Sequence, residues 1–552
     1  MTWFSLPATQ TEKKAAFVDA NSATRWLAEQ PQANASAMLA ELVTQIQLFN
    51  SYSVSPRERF KTIEVLRKTL FAVTGECQRR YENKPLPLPP AEQSLLDSVR
   101  RLWRACLVSY LHCLRAALDF DASIIDQRAK LAHRALSCLR MEQMQSYLAG
   151  AELDGVFWRN LHAVFASAEQ LDIAREAVSD RLLGETSEST ASGQFSMMLL
   201  LHMAQPFSLS RAQFSAAIRW FARWREQVDI LGAPDTNPKS HCVALDLSQD
   251  KPFHDNLRAI SVGRWLVLDS VLRKMRQRQK ALREGESPED LKLGSGLSSE
   301  ACMSLMTVLS DRLKYPLQPL PEANAASLSF LVASGLGNIH RVLGGSGLKD
   351  TASSASFGNT LSQQQIAVFD HVVRESADSQ PVVTESWQLL KKDAGEWQLL
   401  RPVVNGETRL VLKGLLAAQL TSHGEYALAT ISSLSARGDG RLYVSITVLH
   451  GEPAPLVVEV REKPSGKVSR HPAFLLPADI DVSPSVILPV GLPARTLSMR
   501  FFEARTQSPL TLRLDELMER SGEAGPQTFA ATVDEAVGVK HQLGELGRVR
   551  GR

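Results

Sequence analysis

Apolar residues recur at helical spacing along most of the first 343 residues of the chain. The segment Ser55-Pro56-Arg57-Glu58 predicts a helix start: Ser55 can accept a backbone N–H hydrogen bond, Pro56 fits the first turn, and Glu58 holds the capping-box position. The apolar residues that follow at steps of three and four are Phe60, Ile63, Leu66, Leu70 and Val73. This stripe predicts a helix with one buried face.

The same spacing predicts further helices. One has a buried face made of Leu95, Val99, Leu102, Trp103, Cys106, Tyr110 and Leu114; others are expected at residues 122–147, 156–171, 196–202, 211–227, 262–283, 300–313 and 325–342. Alternating prolines make residues 84–90 a stiff connector, and residues 241–247 look extended. Because no 34-residue repeat is present, we expect residues 1–343 to form an irregular α-helical array.

Beyond this region the pattern changes to a period of two. Residues 344–365 are rich in small residues and predict a flexible linker. Asn405-Gly406 and Gly438-Asp439-Gly440 predict hairpins that join residues 397–403 to 409–413 and 426–434 to 441–449. Shorter strands are expected at residues 456–461, 473–476, 486–488, 497–502 and 510–514. The predicted fold is therefore α+β, with an antiparallel β-barrel or sandwich over residues 366–520 and a disordered or loosely helical tail over residues 521–552.

Composition narrows the function classes. The 62 basic and 59 acidic side chains nearly balance, so we expect no DNA or RNA partner. The six cysteines form no CxxC pair, which indicates a reducing, cytoplasmic setting without disulfides or bound metal. The amino terminus does not look like a secretory signal, and the longest apolar run, residues 195–204, is too short for membrane insertion.

Four segments carry residue types with binding chemistry. Arg219, Arg223 and Arg225 interleave with aromatic residues, which suits phosphate binding, but helical spacing favours burial of Trp220 and Trp224. The densest basic run consists of Arg273, Lys274, Arg276, Arg278, Lys280 and Arg283. Such a run more often forms a solvated helix face than a contact with an acidic partner or with phosphates.

No familiar metal site has the spacing of His241, Cys242, Asp246 and His254. Gly335-Leu336-Gly337 begins like a dinucleotide-binding turn, but His340 replaces the third glycine, so we predict a helix-breaking loop. We expect no catalytic residue and no metal ligand.

The carboxy-terminal segment resembles degenerate PilZ-like domains of bacterial cyclic-di-GMP signalling proteins. The stretches behind this resemblance are Trp387-Gln388-Leu389-Leu390, residues 441–448, residues 471–477, residues 486–489 and Phe501-Phe502. The amino-terminal half is similar to the helical region attached to such domains, through Trp26-Leu27-Ala28-Glu29, residues 57–70 and residues 81–88. The resemblance implies a β-barrel with cyclic di-GMP as its ligand.

PilZ domains that bind cyclic di-GMP carry R-x-x-x-R ahead of the first strand and D-x-S-x-x-G on it. Here Arg374 stands alone in the first region, and Asp393 is the residue that matches the second motif, with Gly395 at the serine position. The nearby cations are Lys391, Lys392 and Arg401. The resemblance therefore implies a nucleotide site formed by Arg374, Lys391, Lys392, Asp393 and Arg401.

These observations lead to a non-enzymatic regulatory or scaffold protein linked to bacterial cyclic-di-GMP signalling. We expect it to have protein partners, cyclic di-GMP as a ligand, and no cofactor. Two alternatives stay open. One is a ligand-free helical interaction scaffold or chaperone-like adaptor, since a long helical array offers extended surface. The other is an unrecognised hydrolase whose reactive residues converge only in the fold.

Overall fold

The computed structural model describes residues 4–12, 14–30, 34–183, 188–237, 239–253, 260–315, 328–346, 348, 382–393, 395–402, 408–419, 425–461, 468–477, 484–489, 498–510, 512–520 and 527–533, the last two ranges by their backbone alone. The chain divides into two compact units. The first comprises Met1–Leu320 with Ser435–Asp439, and the second comprises Pro321–Leu434 with Gly440–Arg552. The predicted α+β class is confirmed.

The first unit is mainly helical. Its helices are α1 (Ala20–Glu29), α2 (Ala35–Asn50), α3 (Pro56–Gln78), α4 (Pro90–Leu118), α5 (Arg128–Leu148), α6 (Gly155–Gln170), α7 (Ala191–Met203), α8 (Arg211–Trp224), α9 (Asp269–Arg283) and α10 (Ser299–Lys314). The predicted start of α3 is confirmed: Ser55 accepts a hydrogen bond from the backbone N–H of Glu58, and Pro56 is the first helical residue. The Glu58 carboxylate does not complete a capping box with Ser55; it accepts from the backbone N–H of Ala20 instead.

Helix α5 lies at the centre of this unit. It packs against α4, α6 and α7. Its sequence is polar, yet most of its residues are buried, including His133, Arg134, Glu142 and Gln143. A helix buried on all sides has no apolar stripe to read, so its core position follows from tertiary packing and not from its periodicity.

Two small sheets complete the first unit. Strands β1 (Val178–Ser179) and β2 (Glu188–Ser189) pair antiparallel. Strands β3 (Asp229–Leu231), β4 (Cys242–Asp246) and β5 (Gly263–Val267) form an antiparallel sheet in the order β3-β5-β4. The extended segment expected at residues 241–247 is confirmed. The helix expected at residues 262–283 is wrong for its first part, because β5 pairs on both edges and the helix begins only at Asp269.

The second unit contains the remaining elements. They are β6 (Ser329–Ser334), α11 (Leu336–Val342), β7 (Glu385–Lys392), β8 (Glu396–Arg401), β9 (Leu415–Gln419), β10 (Tyr426–Ala436), β11 (Leu442–Val448), β12 (Ala454–Arg461), β13 (Val468–Leu476), β14 (Ser485–Leu488), β15 (Ser498–Glu503), β16 (Pro509–Leu510), β17 (Leu512–Arg520) and β18 (Gln527–Val533). Six strands close a barrel in the order β10-β11-β8-β7-β6-β9, and the others form a seven-stranded sheet in the order β16-β15-β12-β13-β14-β18-β17.

The barrel begins earlier in the chain than expected. The helix predicted at residues 325–342 is wrong for Ser329–Ser334, because this strand pairs with β7 on one edge and β9 on the other. Gly335, with φ of +83°, then turns the chain into the short helix α11. A short apolar run has the same composition in a strand as in a buried helix, so the strands beside it decide the outcome. Of the linker predicted at residues 344–365, the described residues are 344–346 and 348.

One predicted hairpin is wrong and the other is confirmed. Strand β8 pairs with β7 and β11, so it does not form a hairpin with residues 409–413; the expected turn, Asn405-Gly406, lies outside the described residues. Strands β10 and β11 are neighbours, as the glycines at 438 and 440 predict. The tail expected to be disordered contains β18, which pairs with β14 and β17, whereas residues 534–552 lie outside the described part.

Substitution of Gly345 by Ala should destabilise the protein. A Cβ atom there would lie 2.3 Å from the His340 ring. That ring is fully buried and its Nε2 lies 3.1 Å from the carbonyl oxygen of Leu456, so it cannot move aside cheaply. We expect a loss of about 1–3 kcal/mol in the free energy of urea unfolding of the full chain. Gly337→Ala is the control, since its Cβ would meet no atom within 4 Å and alanine favours a helix. Equal loss in both variants would contradict this account.

The buried imidazole of His133 should make the stability depend on pH. Burial, aided by the positive charge of Arg134, lowers the pKa of His133 from 6.5 to about 3. Between about pH 6.5 and 3, His133 therefore binds a proton in the unfolded chain but not in the folded protein. Stability is complete above pH 6.5 and falls as the pH is lowered towards 3, by at most about 1.4 kcal/mol per pH unit from this group.

Urea unfolding at a series of pH values measures this contribution. His133→Gln should reduce the pH slope of the unfolding free energy. Ser189→Ala is the matched control, because it removes the hydroxyl 2.7 Å from His133 Nε2 but keeps the imidazole. That variant should lose stability and retain the slope. An unchanged slope in His133→Gln would show that other groups cause the pH dependence.

Candidate functional site

The β7–β8 hairpin carries four of the five predicted site residues: Lys391, Lys392 and Asp393 lie at its turn, and Arg401 lies at the far end of β8. The two strands pair antiparallel, with Lys392 opposite Trp397. The turn is closed by the backbone N–H of Asp393, which donates to the carbonyl oxygen of Glu396 at 2.9 Å. Gly395 has a φ of +84°, a backbone region that glycine occupies without steric cost. The turn thus brings Lys391, Lys392 and Asp393 together at the exposed end of the hairpin.

The two lysines have different surroundings. Lys391 Nζ forms a 2.6 Å ion pair with the Asp393 carboxylate, and both side chains are more than half exposed. Lys392 Nζ lies 4.3 Å from the centre of the Trp397 ring and 6.0 Å from that of Phe330. An ammonium over an aromatic face is held in place while its other side stays open to solvent. The hairpin end therefore presents two exposed ammonium groups, one of them paired with Asp393, to which an anionic group could bind.

Arg401 is not part of that surface. It lies at the other end of β8 and is 1% exposed. Its Nε and Nη2 atoms donate to the Glu385 carboxylate at 2.6 and 2.8 Å. Trp387 Nε1 donates to the same carboxylate at 2.9 Å, and its ring faces the guanidinium. The geometry gives Arg401 a structural role in the barrel wall.

Arg374 lies outside the described residues, so its place in the site stays a prediction. Its position in the chain is nevertheless informative. It falls between β6 and β7 in the sequence, whereas the binding motif of PilZ domains has its arginines ahead of the first strand.

The histidine and cysteine group does not assemble. His241 Nδ1 lies 3.0 Å from Asp269, whereas Asp246 at the far end of β4 accepts backbone hydrogen bonds from Ser248, Ser261 and Val262. His254 lies outside the described residues. Within the described ranges, no three His, Cys, Asp or Glu side chains are grouped closely enough to hold a metal ion.

The aromatic residues of α8 belong to the core. Trp220 and Trp224 are buried, and Trp220 Nε1 donates to the carbonyl oxygen of Leu293 at 3.0 Å. Arg219 and Arg223 are exposed, as helical spacing predicts, but Arg225 is buried. This arrangement favours the structural interpretation of the segment.

The glycine-rich turn after β6 is also structural. Gly335 leads into α11 and not into the predicted loop, and the neighbours of β6 are antiparallel, so the parallel βαβ unit of a dinucleotide site is missing at this turn. His340, which stands where a third glycine would be required, is fully buried.

Sequence reasoning missed a buried ion network in the helical unit. Asp180 accepts from Arg67 at 2.7 Å and pairs with Arg134 at 2.8 Å. Arg134 also bonds Glu64 at 3.2 Å. Burial alone would raise the pKa of Asp180, but the hydrogen bonds and charge of Arg67 outweigh burial and hold that pKa below its ordinary value. The positions are far apart in the chain, so no local pattern could have shown them.

Loss of the Glu385 carboxylate should destabilise the second unit strongly. Glu385→Ala would leave the Arg401 guanidinium buried without its carboxylate, which costs about 3–5 kcal/mol in comparable buried pairs. Asp393→Ala is the matched control, because it breaks an exposed pair worth less than about 1 kcal/mol. Urea unfolding of the full chain measures both. A loss below 1 kcal/mol in Glu385→Ala would show that the pair does not hold the barrel wall.

Part of the helical unit is similar to a known protein family. Residues 21–235 match a family described as the N-terminal domain of the cyclic-di-GMP receptor FimW. The matched range begins at the second residue of α1, includes α2 to α8 and ends shortly after β3, all within the helical unit. No curated protein and no solved structure matches the chain. Among the described helices, none combines the length and apolar character needed to cross a bilayer.

Proposed function

We propose that this protein is a non-enzymatic regulator in bacterial cyclic-di-GMP signalling, acting in the cytoplasm as a receptor for the nucleotide. The observation that carries the proposal is the similarity of residues 21–235 to the N-terminal domain of a cyclic-di-GMP receptor. The helical region with this similarity precedes a closed six-stranded antiparallel barrel. We further propose that this barrel is a PilZ-like domain, as the sequence stretches around Trp387 and residues 441–448 imply.

The nucleotide would contact the end of the β7–β8 hairpin. Cyclic di-GMP carries two phosphodiester groups, and Lys391 and Lys392 are exposed ammonium groups on adjacent residues. A phosphate oxygen can replace the Asp393 carboxylate as the partner of Lys391, which is accessible because its ion pair is solvent-exposed. Lys392, already positioned over Trp397, would meet the second anionic group.

Arg401 would support this site without touching the ligand. Its guanidinium is committed to Glu385 inside the barrel wall, and β8 connects it to Trp397 at the hairpin end. Arg374 remains a proposed contact on sequence grounds. A lysine acts as a point charge and does not form the bidentate fork of arginine, so we expect weaker binding than an arginine pair would give.

Isothermal titration of the full chain with cyclic di-GMP tests the proposal. We expect saturable heat at protein concentrations of roughly tens of micromolar. Lys391→Ala with Lys392→Ala should weaken binding at least about thirtyfold, because the two lost charge-assisted contacts together remove about 2 kcal/mol or more. Absence of heat would contradict the receptor function.

The control pair is Arg461→Ala with Arg500→Ala. Both arginines are exposed, and both lie on the seven-stranded sheet of the same unit. This variant removes the same charge, so it should bind as tightly as the unmodified protein. Equal weakening in the two double variants would indicate general electrostatic attraction, and saturable binding that survives both would place the nucleotide elsewhere on the chain.

A further inference from the structure

Helix α9 presents a row of cations on its exposed side. Its buried side is formed by Val271, Leu272, Met275, Gln279 and Leu282. Arg273, Arg276, Lys280 and Arg283 are exposed, and their spacing of three, four and three residues places them on one face of the helix. These four side chains are called the α9 ridge.

The α9 ridge is poorly neutralised within the protein. Lys280 lies 3.6 Å from Glu284 in an exposed pair, whereas in the described part of the chain Arg273, Arg276 and Arg283 form no ion pair. Two other exposed arginines of the unit, Arg57 and Arg159, do have carboxylate partners, Asp126 and Asp250. Like charges one helical turn apart repel each other. Binding of a negatively charged partner would offset this repulsion.

Carboxylates border the ridge at both ends. At the start of α9, Arg273 and Lys274 share an open groove with Glu226 and Asp229. Beyond the last turn, Glu284 and Glu286 are both exposed. The ten residue-to-residue steps from Arg273 to Arg283 span about 15 Å of helix. The positive surface is therefore short and closed off by negative charge.

We infer that the α9 ridge docks an acidic segment of a protein partner. A nucleic acid or a membrane presents negative charge over much longer distances and would run onto the carboxylates at both ends of the ridge. A short acidic segment, with carboxylates spaced over about 15 Å, fits between them. Arginine forms bidentate hydrogen bonds with carboxylates, which suits the three arginines of the ridge. This surface is separate from the proposed nucleotide contacts and does not depend on them.

Fluorescence anisotropy with the full chain tests this inference. The probe is a labelled synthetic helical peptide of about four turns with Glu at positions i, i+3, i+7 and i+10. We expect saturable binding in the absence of nucleotide. Reversal of three ridge charges, in Arg273→Glu with Arg276→Glu and Arg283→Glu, should weaken it at least about tenfold. The same peptide with Gln in place of Glu should not bind.

The matched control reverses Arg25, Lys68 and Arg101 to Glu. These three side chains are exposed on α1, α3 and α4, so the net charge changes equally while the ridge stays intact. Its affinity should stay within about twofold of the unmodified protein. Circular dichroism establishes that each variant is folded. Equal weakening in both variants, or no saturable binding to the Glu peptide, would overturn the inference. Tighter, ridge-dependent binding of a single-stranded oligonucleotide of equal charge would also overturn it.

Discussion

The helical unit depends on the pairing of charges inside its core. Helix α5 is buried nearly all round, yet it carries Arg134 and Glu142 into the interior. An unpaired buried charge costs several kcal/mol, so each must have a partner from a neighbouring element. Arg134 bonds Glu64 of α3 and Asp180 beside β1, and Glu142 pairs with Arg104 of α4 at 2.6 Å. Because such pairs tolerate little displacement, they fix the positions of the elements around α5 as well as contributing to stability.

The sequence could predict the parts of the fold that depend on local interactions, but not those that depend on residues far away in the chain. The start of α3 has a local signal, because Ser55 and Pro56 act on backbone groups within one turn. Strands β5 and β6 have none, since each is a short apolar run whose conformation is set by pairing with strands on both edges. The burial of α5 could not be predicted either, because its charged residues are neutralised by side chains dozens of residues away in the chain.

The candidate site illustrates the limit of reading charge from sequence. Lys391, Lys392 and Arg401 are all cationic and lie close together in the sequence, so the family resemblance implies that all three contact the ligand. In the structure, the lysines are exposed at the hairpin end, whereas Arg401 is held by Glu385 and Trp387 within the barrel wall. Guanidinium groups are more weakly hydrated than ammonium groups and form fixed bidentate pairs, so burial of the arginine and exposure of the lysines follow from their chemistry.

Buried ion pairs have a structural role, whereas the two surfaces that we propose as binding sites carry exposed basic side chains. The hairpin end carries two exposed ammonium groups on adjacent residues and leaves Lys391 with an exposed carboxylate to displace, which suits an anion with two negative centres. The α9 ridge spreads its charge along one helix face and is bordered by carboxylates, which suits a short acidic segment. Each surface lies within a single compact unit, so neither proposal depends on the arrangement of the two units. The proposed regulator needs both an input and an output, and the two proposed surfaces would let a nucleotide and a protein partner bind without competing for the same side chains.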